Sequence, residues 1–182
     1  MKRRIGLIAI VVLMVALLAG CSSQDQSLVS KTPFPEFSEV DTEGNAITSD
    51  IFSDYDATIV NFWSNGCGTC IEEMPELEEL YHELQDQNIN LIGVGADSGE
   101  NEEQLARARE ILAEKGVTYT NISPDPDKNL YKYFISELTG YPTTYVVDRE
   151  GNSIGAPLVG NVKHQSDMLQ KRLDMIKGAN KN

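Results

Sequence analysis

Ligand-bearing side chains are scarce in this chain, which holds two histidines, His82 and His164, and three cysteines, Cys21, Cys67 and Cys70, among 182 residues. A structural zinc site closes on four ligands, and neither histidine stands in ligand spacing to a cysteine. Basic residues are also few, 15 Lys and Arg against 28 Asp and Glu, for a formal net charge of −13. Such a surface repels phosphate and argues against nucleic acid binding and against electrostatic adhesion to anionic lipid. There is no internal repeat and no sign of a second domain. With 41% hydrophobic residues the chain has material for one well-buried domain of ordinary size.

A long apolar run occurs at the N-terminus, from Ile5 to Leu18. It is short for a membrane-spanning helix, follows Lys2-Arg3-Arg4 and leads into Leu18-Ala19-Gly20-Cys21. A basic start, apolar middle and small-residue exit make an export signal, and a cysteine directly after Ala-Gly resembles the bacterial lipoprotein form. The expectation is that residues 1–20 are removed as a signal peptide and that Cys21 carries lipid such as palmitate, which takes it out of any redox site. Several acyl chains on one cysteine anchor firmly, whereas one holds only marginally. Loss of Lys2, Arg3 and Arg4 leaves the chain more acidic still. Residues 21–32, with Ser22-Ser23-Gln24-Asp25-Gln26-Ser27, read as a flexible tether. A folded domain over 33–178 and a frayed tail over 179–182 complete the organisation. This places the protein at the extracytoplasmic face of a bacterial cell membrane.

From Pro33 onward short strands alternate with helices. Val40 to Ile47 reads as a hairpin around Glu43-Gly44-Asn45, and Ala57-Thr58-Ile59-Val60-Asn61-Phe62-Trp63 as a mostly buried strand. Leu77, Leu80, Tyr81 and Leu84 recur at helical spacing, with many glutamates on the opposite side. Ile89 to Ala96 is a second buried strand, and 101–115 a helix with Leu105, Ala108, Ile111 and Leu112 inward. A short strand is expected over Thr118–Ile122 and a helix over Asp127–Ile135 presenting Leu130, Tyr131 and Phe134. Thr143–Val147 makes a strand that turns at Asp148–Asn152 into another over Ser153–Val159. The last helix, from about Val162 to Lys177, buries Leu169, Leu173 and Ile176. Alternation of this kind points to an α/β sandwich with helices on both faces of the sheet.

Cys67 and Cys70 stand between the first buried strand and the helix after it, in Phe62-Trp63-Ser64-Asn65-Gly66-Cys67-Gly68-Thr69-Cys70. Two cysteines with this spacing at a helix start bring their sulfurs close enough to form a small disulfide ring. The first sulfur faces unpaired N–H groups and the positive end of the helix dipole, which lowers its pKa and makes a thiolate available. A structural crosslink over so short a loop gains little entropy. Thiol exchange is the reading this placement favours.

Asn61-Phe62-Trp63, Cys67-Gly68-Thr69-Cys70, Glu73-Met74-Pro75 and Gly140-Tyr141-Pro142-Thr143-Thr144 together resemble, in order and spacing, the thioredoxin superfamily, and more narrowly the membrane-anchored TlpA/ResA-like thiol-disulfide oxidoreductases. The resemblance runs from about Pro33 to the final helix. It implies a thioredoxin-like fold with a central mixed sheet flanked by helices, an N-terminal hairpin and an internal strand-helix insertion, which Glu100 to Ile122 would supply. It also implies a protein disulfide reductase with Cys67 as attacking and Cys70 as resolving cysteine, the two forming the redox disulfide. Glu73 is the candidate proton acceptor for Cys70, because the strand position where thioredoxin keeps a buried aspartate is here Asn61. The alternative is a solvated glutamate in a run with Glu72, Glu76, Glu78 and Glu79.

Pro75 would kink its helix. The resemblance further implies a cis Tyr141–Pro142 bond opposite the dithiol, where the Tyr141 backbone offers an open edge for a substrate peptide. Trp63 is placed with Tyr141 and Pro142 as a substrate-side residue, packing beside the dithiol, or else serves the core alone. Gly68 and Thr69 add no charge between the cysteines, and surrounding carboxylates raise thiol pKa values, so the direction is reductive. No cofactor is called for. The resemblance implies a membrane-spanning thiol donor of the DsbD/CcdA-like kind, and substrates such as apocytochrome c, methionine sulfoxide reductase or copper-site cysteines. Other classes consistent with the residues are a copper-binding metallochaperone, a thiol oxidase or isomerase, and a binding platform without thiol chemistry.

Overall fold

Two runs rich in Ile, Val, Leu and Phe form the centre of the molecule, β4 (Ala57–Trp63) and β5 (Ile89–Gly95), each buried along its whole length. The computed structural model describes residues 30–179. The expected signal peptide, Cys21 and most of the expected tether lie outside the described residues, as does the chain beyond Ala179. β4 and β5 pair in parallel, from Ala57 with Ile89 to Trp63 with Gly95. On the other side of β4 runs β7 (Thr143–Asp148), antiparallel.

The sheet grows outward from these three. β6 (Asn121–Ser123) lies parallel to β5, and the hairpin of β2 (Ser38–Asp41) and β3 (Ala46–Thr48) adds antiparallel beyond it. On the opposite flank β8 (Asn152–Ile154) pairs with β7 and with β1 (Lys31–Pro33), while β9 (Leu158–Val159) pairs with β7 near Thr143. The result is a mixed sheet of nine strands among the described residues. The expected hairpin, central sheet and strand-helix insertion are all present.

Alternation along β4 divides the core. Ala57 and Ile59 face α1 (Gly68–Gln85) and α4 (Ser166–Ala179), meeting Leu77, Leu84, Leu169, Leu173 and Ile176. Val60 and Phe62 face the other side, with Phe34, Phe37, Phe52 and Leu130 of α3 (Asn129–Tyr133). α2 (Glu102–Lys115) brings Ala108, Ile111 and Leu112 against Trp63, Cys70 and Met74. The two faces are unequally covered: the long helices lie on the dithiol side, and the other is closed by α3, short 3₁₀ turns and N-terminal aromatics.

Four expectations about elements need correction. Lys31 and Thr32 belong to β1 and not to the tether, because their backbone completes the sheet beside β8 and Lys31 reaches Asp148 at 2.7 Å. Thr118 to Thr120 is not strand: Val117 N–H donates to Leu112 O at 2.9 Å and Thr118 N–H to Glu78 at 2.8 Å, so the segment is tied to helices until Thr120. The helix over 127–135 shortens because Phe134 leaves helical angles to stack on Phe34 (5.1 Å), Tyr145 (5.3 Å) and Phe62 (5.7 Å). The strand over 153–159 divides in two, β8 and β9, around Gly155-Ala156-Pro157, whose proline has no N–H for a ladder.

The β7–β8 turn hangs on one carboxylate. Asp148 accepts from Glu150 N–H (3.1 Å), Asn152 N–H (2.8 Å) and Lys31 Nζ (2.7 Å). Burial pushes its pKa up, but these partners outweigh burial and hold the carboxyl below its usual value. Its stabilisation is therefore present at neutral pH and fades as pH falls through that lowered value. Asp148→Ala is expected to cost about 2–3 kcal/mol at neutral pH, as for a charged group with several buried hydrogen bonds. Urea titrations at neutral and acid pH check this, and the gap from wild type closes as the native carboxylate is protonated.

Candidate active site

β4 ends at Trp63, and α1 begins at Gly68 after four intervening residues, so the chain reverses direction over Ser64-Asn65-Gly66 at the end of the sheet. Cys67 is the N-cap of α1, in extended conformation, with its N–H donating to Ser64 O at 3.1 Å. Its Sγ accepts from Cys70 N–H at 3.2 Å and lies 3.5 Å from Thr69 Oγ1. A helix N-terminus leaves N–H groups without intrahelical partners, and here one of them points at sulfur. Cys67 is partly exposed, while Cys70, one turn in, is 1% exposed. The two are joined as a disulfide, Cα to Cα 5.3 Å.

Glu73 follows one turn after Cys70 and is buried, unlike the exposed Glu72 and Glu79 beside it. Its Oε1 accepts from Asn61 Nδ2 at 3.0 Å and its Oε2 from Val162 N–H at 3.1 Å. Asn61 also donates to Thr144 Oγ1 at 3.1 Å, so α1, β4, β7 and the loop before α4 meet at this carboxylate. α4 starts at Ser166, after a 3₁₀ turn over Lys163–Gln165, and not at Val162 as expected. Burial raises the Glu73 pKa; the bonds from Asn61 and Val162 work against that, the charge of Glu76 adds to it, and the net shift is upward. A cleft of about 200 Å³ between α1 and α4, lined by Glu73, Glu76, Leu80, Val162 and Lys163, opens next to the carboxylate. The picture of Glu73 as a solvated surface glutamate is thereby excluded.

Trp63 is 1% exposed and shares a cluster with Cys70, Met74 and Ile111, against which Cys67 and Tyr141 also pack. Its Nε1 donates to Asn121 Oδ1 at 2.9 Å. Asn121 fills the space over Gly93, where any Cβ would collide with the amide. So buried an indole offers a partner no area, and its place is the floor under the dithiol. The Tyr141–Pro142 bond is cis, with Pro142 O accepting Gly160 N–H at 2.8 Å. Tyr141 is half-buried, and burial raises its phenol pKa, with the charges of Tyr131 and Asp97 adding to it.

Residues that the motif did not point to complete the site. Asn65 N–H donates to both carboxylate oxygens of Asp97 at 3.0 Å, and Asn65 Nδ2 to Gln104 O (3.0 Å) and Oε1 (2.7 Å). Asn121 likewise became visible only when distant segments met, and Thr144, part of the Gly140–Thr144 motif, gained its bond to Asn61 only there. Asn65 alone had a local signal, a turn-forming residue in a strand-to-helix loop.

A family model described as the AhpC/TSA family matches residues 31–153. The chain is 30% identical over 119 residues to the thiol-disulfide oxidoreductase YkuV of Bacillus subtilis, covering 65% of this chain and 76% of that one. It is 24% identical over 139 residues to the thiol-disulfide oxidoreductase ResA of Bacillus anthracis, covering 76% and 75%. Among solved structures, a thiol:disulfide interchange protein of the thioredoxin family from Chlorobium tepidum superposes with a TM-score of 0.58 at 26% identity, over 72% of this chain and 87% of the other.

Trp63 is the single tryptophan, so its emission reports on the dithiol beside it. Reduction of the Cys67–Cys70 disulfide is expected to raise its fluorescence, since a neighbouring disulfide quenches an excited indole. Steady-state emission before and after dithiothreitol checks this, and Cys67→Ser is expected to abolish the response.

Proposed function

The chain belongs to the AhpC/TSA family and is a thiol-disulfide oxidoreductase, and from that premise we propose that it is a reductase of partner-protein disulfides, exported and held at the extracytoplasmic face of the cell membrane by lipid on Cys21. The observation that carries the chemistry is the pairing of a partly exposed Cys67 at a helix N-terminus with a buried Cys70 one turn in. Anchoring rests on Leu18-Ala19-Gly20-Cys21. Among the described residues no helix is long and apolar enough to cross a membrane.

In the reduced protein the Cys67 thiolate attacks one sulfur of the partner's cystine. The partner's second sulfur leaves as thiolate and takes up a proton, giving a mixed disulfide between Cys67 and the partner. Cys70 then gives up its proton and attacks Cys67 Sγ. The partner's first sulfur departs as a thiol, and the Cys67–Cys70 disulfide forms. Two electrons have passed to the partner. A membrane-spanning thiol carrier of the DsbD/CcdA-like kind returns them.

Glu73 is the candidate acceptor for the Cys70 proton. It is the buried carboxylate of this helix, and Asn61, at the strand position facing it, can donate a hydrogen bond but cannot take a proton. The cleft beside Glu73 supports exchange of that proton with solvent. A raised pKa keeps the carboxyl closer to the range where acceptance and release are both feasible. Tyr141 and the backbone edge at Pro142 support docking of the partner strand, with Trp63 as packing beneath. Gly68 and Thr69 place no cation next to the thiolate, which keeps the dithiol reducing.

Cys70→Ser is expected to accumulate mixed disulfides with the physiological partner, identified by mass spectrometry after non-reducing electrophoresis, whereas Cys67→Ser traps none. Equilibration with glutathione is expected to give a potential of about −200 mV or lower; a value near −120 mV would make the protein an oxidant.

Glu73→Gln is expected to slow resolution of the mixed disulfide by about 10²-fold, the usual weight of a positioned base, and to leave the pH dependence of that step to the Cys70 thiol alone. Because the folded state holds the Glu73 proton more tightly than the unfolded chain, wild-type stability declines as pH climbs from the ordinary carboxylate range through the raised value. Glu73→Gln flattens that decline in urea titrations across pH.

A further inference from the structure

The three residues between β4 and Cys67 are held by side chains of a different part of the chain. The β4–β5 ladder runs to Trp63 and Gly95, and Ala96 N–H extends it by donating to Trp63 O at 2.8 Å. At the next step the backbone acceptor is replaced by a carboxylate: Asn65 N–H lies 3.0 Å from both oxygens of Asp97. From the first turn of α2, Gln104 takes the Asn65 amide with its own carbonyl and its Oε1. Two residues after Asn65 comes Cys67.

The segment that presents Asp97 is itself rigid. Ser98 is fully buried, its Oγ donating to Gly95 O at 2.7 Å. Gly99 packs so tightly on Pro124 that a Cβ would overlap the Pro124 carbonyl. Gln104 is set by the α2 cap, its N–H donating to Asn101 Oδ1 at 3.0 Å. A fixed clamp therefore grips a loop that has no sheet partner of its own.

The grip has a cost. Asn65 Oδ1 is buried without a protein hydrogen-bond partner among the described residues. Unsatisfied buried groups of this kind ask for a reason beyond packing. Here turning the amide around would satisfy the oxygen no better, since both facing Gln104 atoms are acceptors.

We propose that Asp97 and Gln104 are positioning residues for Cys67, acting through Asn65 to hold the turn Ser64–Cys67 so that Cys67 Sγ stays at the α1 N-terminus, in line for attack on a disulfide. The inference rests on Cys67 being the attacking sulfur. Asp97 and Gln104 bond to Asn65 and not to the reacting sulfurs. Their effect is on the fraction of time the nucleophile spends in productive geometry, where errors of an ångström are costly.

The test is the second-order rate constant of the reduced full-length protein with oxidised glutathione, measured well below the unfolding temperature. Asp97→Ala, which removes both acceptor oxygens, is expected to lower it about tenfold, and Gln104→Ala about threefold, as modest misplacement of a nucleophile does. Asp97→Asn retains an acceptor oxygen and is expected to restore the rate to within about twofold of wild type, by the same geometric argument. A loss of stability alone would leave these rates unmoved in folded protein. An Asp97→Ala rate equal to wild type, or an Asp97→Asn rate as low as that of Asp97→Ala, overturns the inference. Should Asp97→Ala fail to fold, Gln104→Ala decides, and an unchanged rate there overturns it. A wild type inert toward oxidised glutathione would instead overturn the functional reading on which this one rests.

Discussion

A single buried carboxylate joins the working parts of this molecule. Glu73 has to be desolvated to sit under α1, and a carboxylate without partners in such a place would cost several kcal/mol or give up its charge. Asn61 and Val162 each supply a hydrogen bond, which makes the ionised form tolerable without making it comfortable. That balance, burial against two donors, leaves the group with a raised pKa and a reason to exchange protons. It also binds the helix that carries both cysteines to the central strand, to β7 beside Pro142 and to the loop before α4. Chemistry and architecture share the same bonds.

Around that centre the site is built largely of amides and carboxylates reaching across chain gaps. Asn121 takes the Trp63 N–H, and Asp97 and Gln104 hold Asn65, while at the far end of β4 Asp148 closes the β7–β8 turn onto Lys31. Each satisfies a backbone or ring donor where the regular ladders end, as buried polar groups must. The sulfurs consequently sit on a frame fixed from three sides. Cys67 stays partly exposed while Cys70 is closed off, the asymmetry on which the proposed attacking and resolving roles rest.

The parts legible in advance were those whose signal is local. Ala57–Trp63 was read to its ends as β4 because continuous apolar, β-branched sequence declares a strand buried on both faces. The helix after the cysteines showed its core face in Leu77 and Leu84. The readings that shifted are those where a distant group claimed a backbone or a ring. Glu78 took Thr118 N–H, and the Phe34, Phe62 and Tyr145 rings drew Phe134 out of its helix. Glu73 stood out by its place relative to Cys70, but its neighbours in sequence are exposed glutamates, and periodicity could not tell which one the fold would bury.

Taken alone, the order of residues settled the central strands and long helices apart from some of their ends, the alternation of strand and helix, and the presence of two cysteines at a helix start, because hydrophobic period and helix-end chemistry act over a few residues. Tertiary structure decided which carboxylate is dry, which tryptophan donor finds an amide, and what holds the loop before Cys67. Those outcomes depend on segments tens of residues apart arriving side by side, as Asn65 and Asp97 or Glu73 and Val162 do, and no local pattern encodes the distance between them.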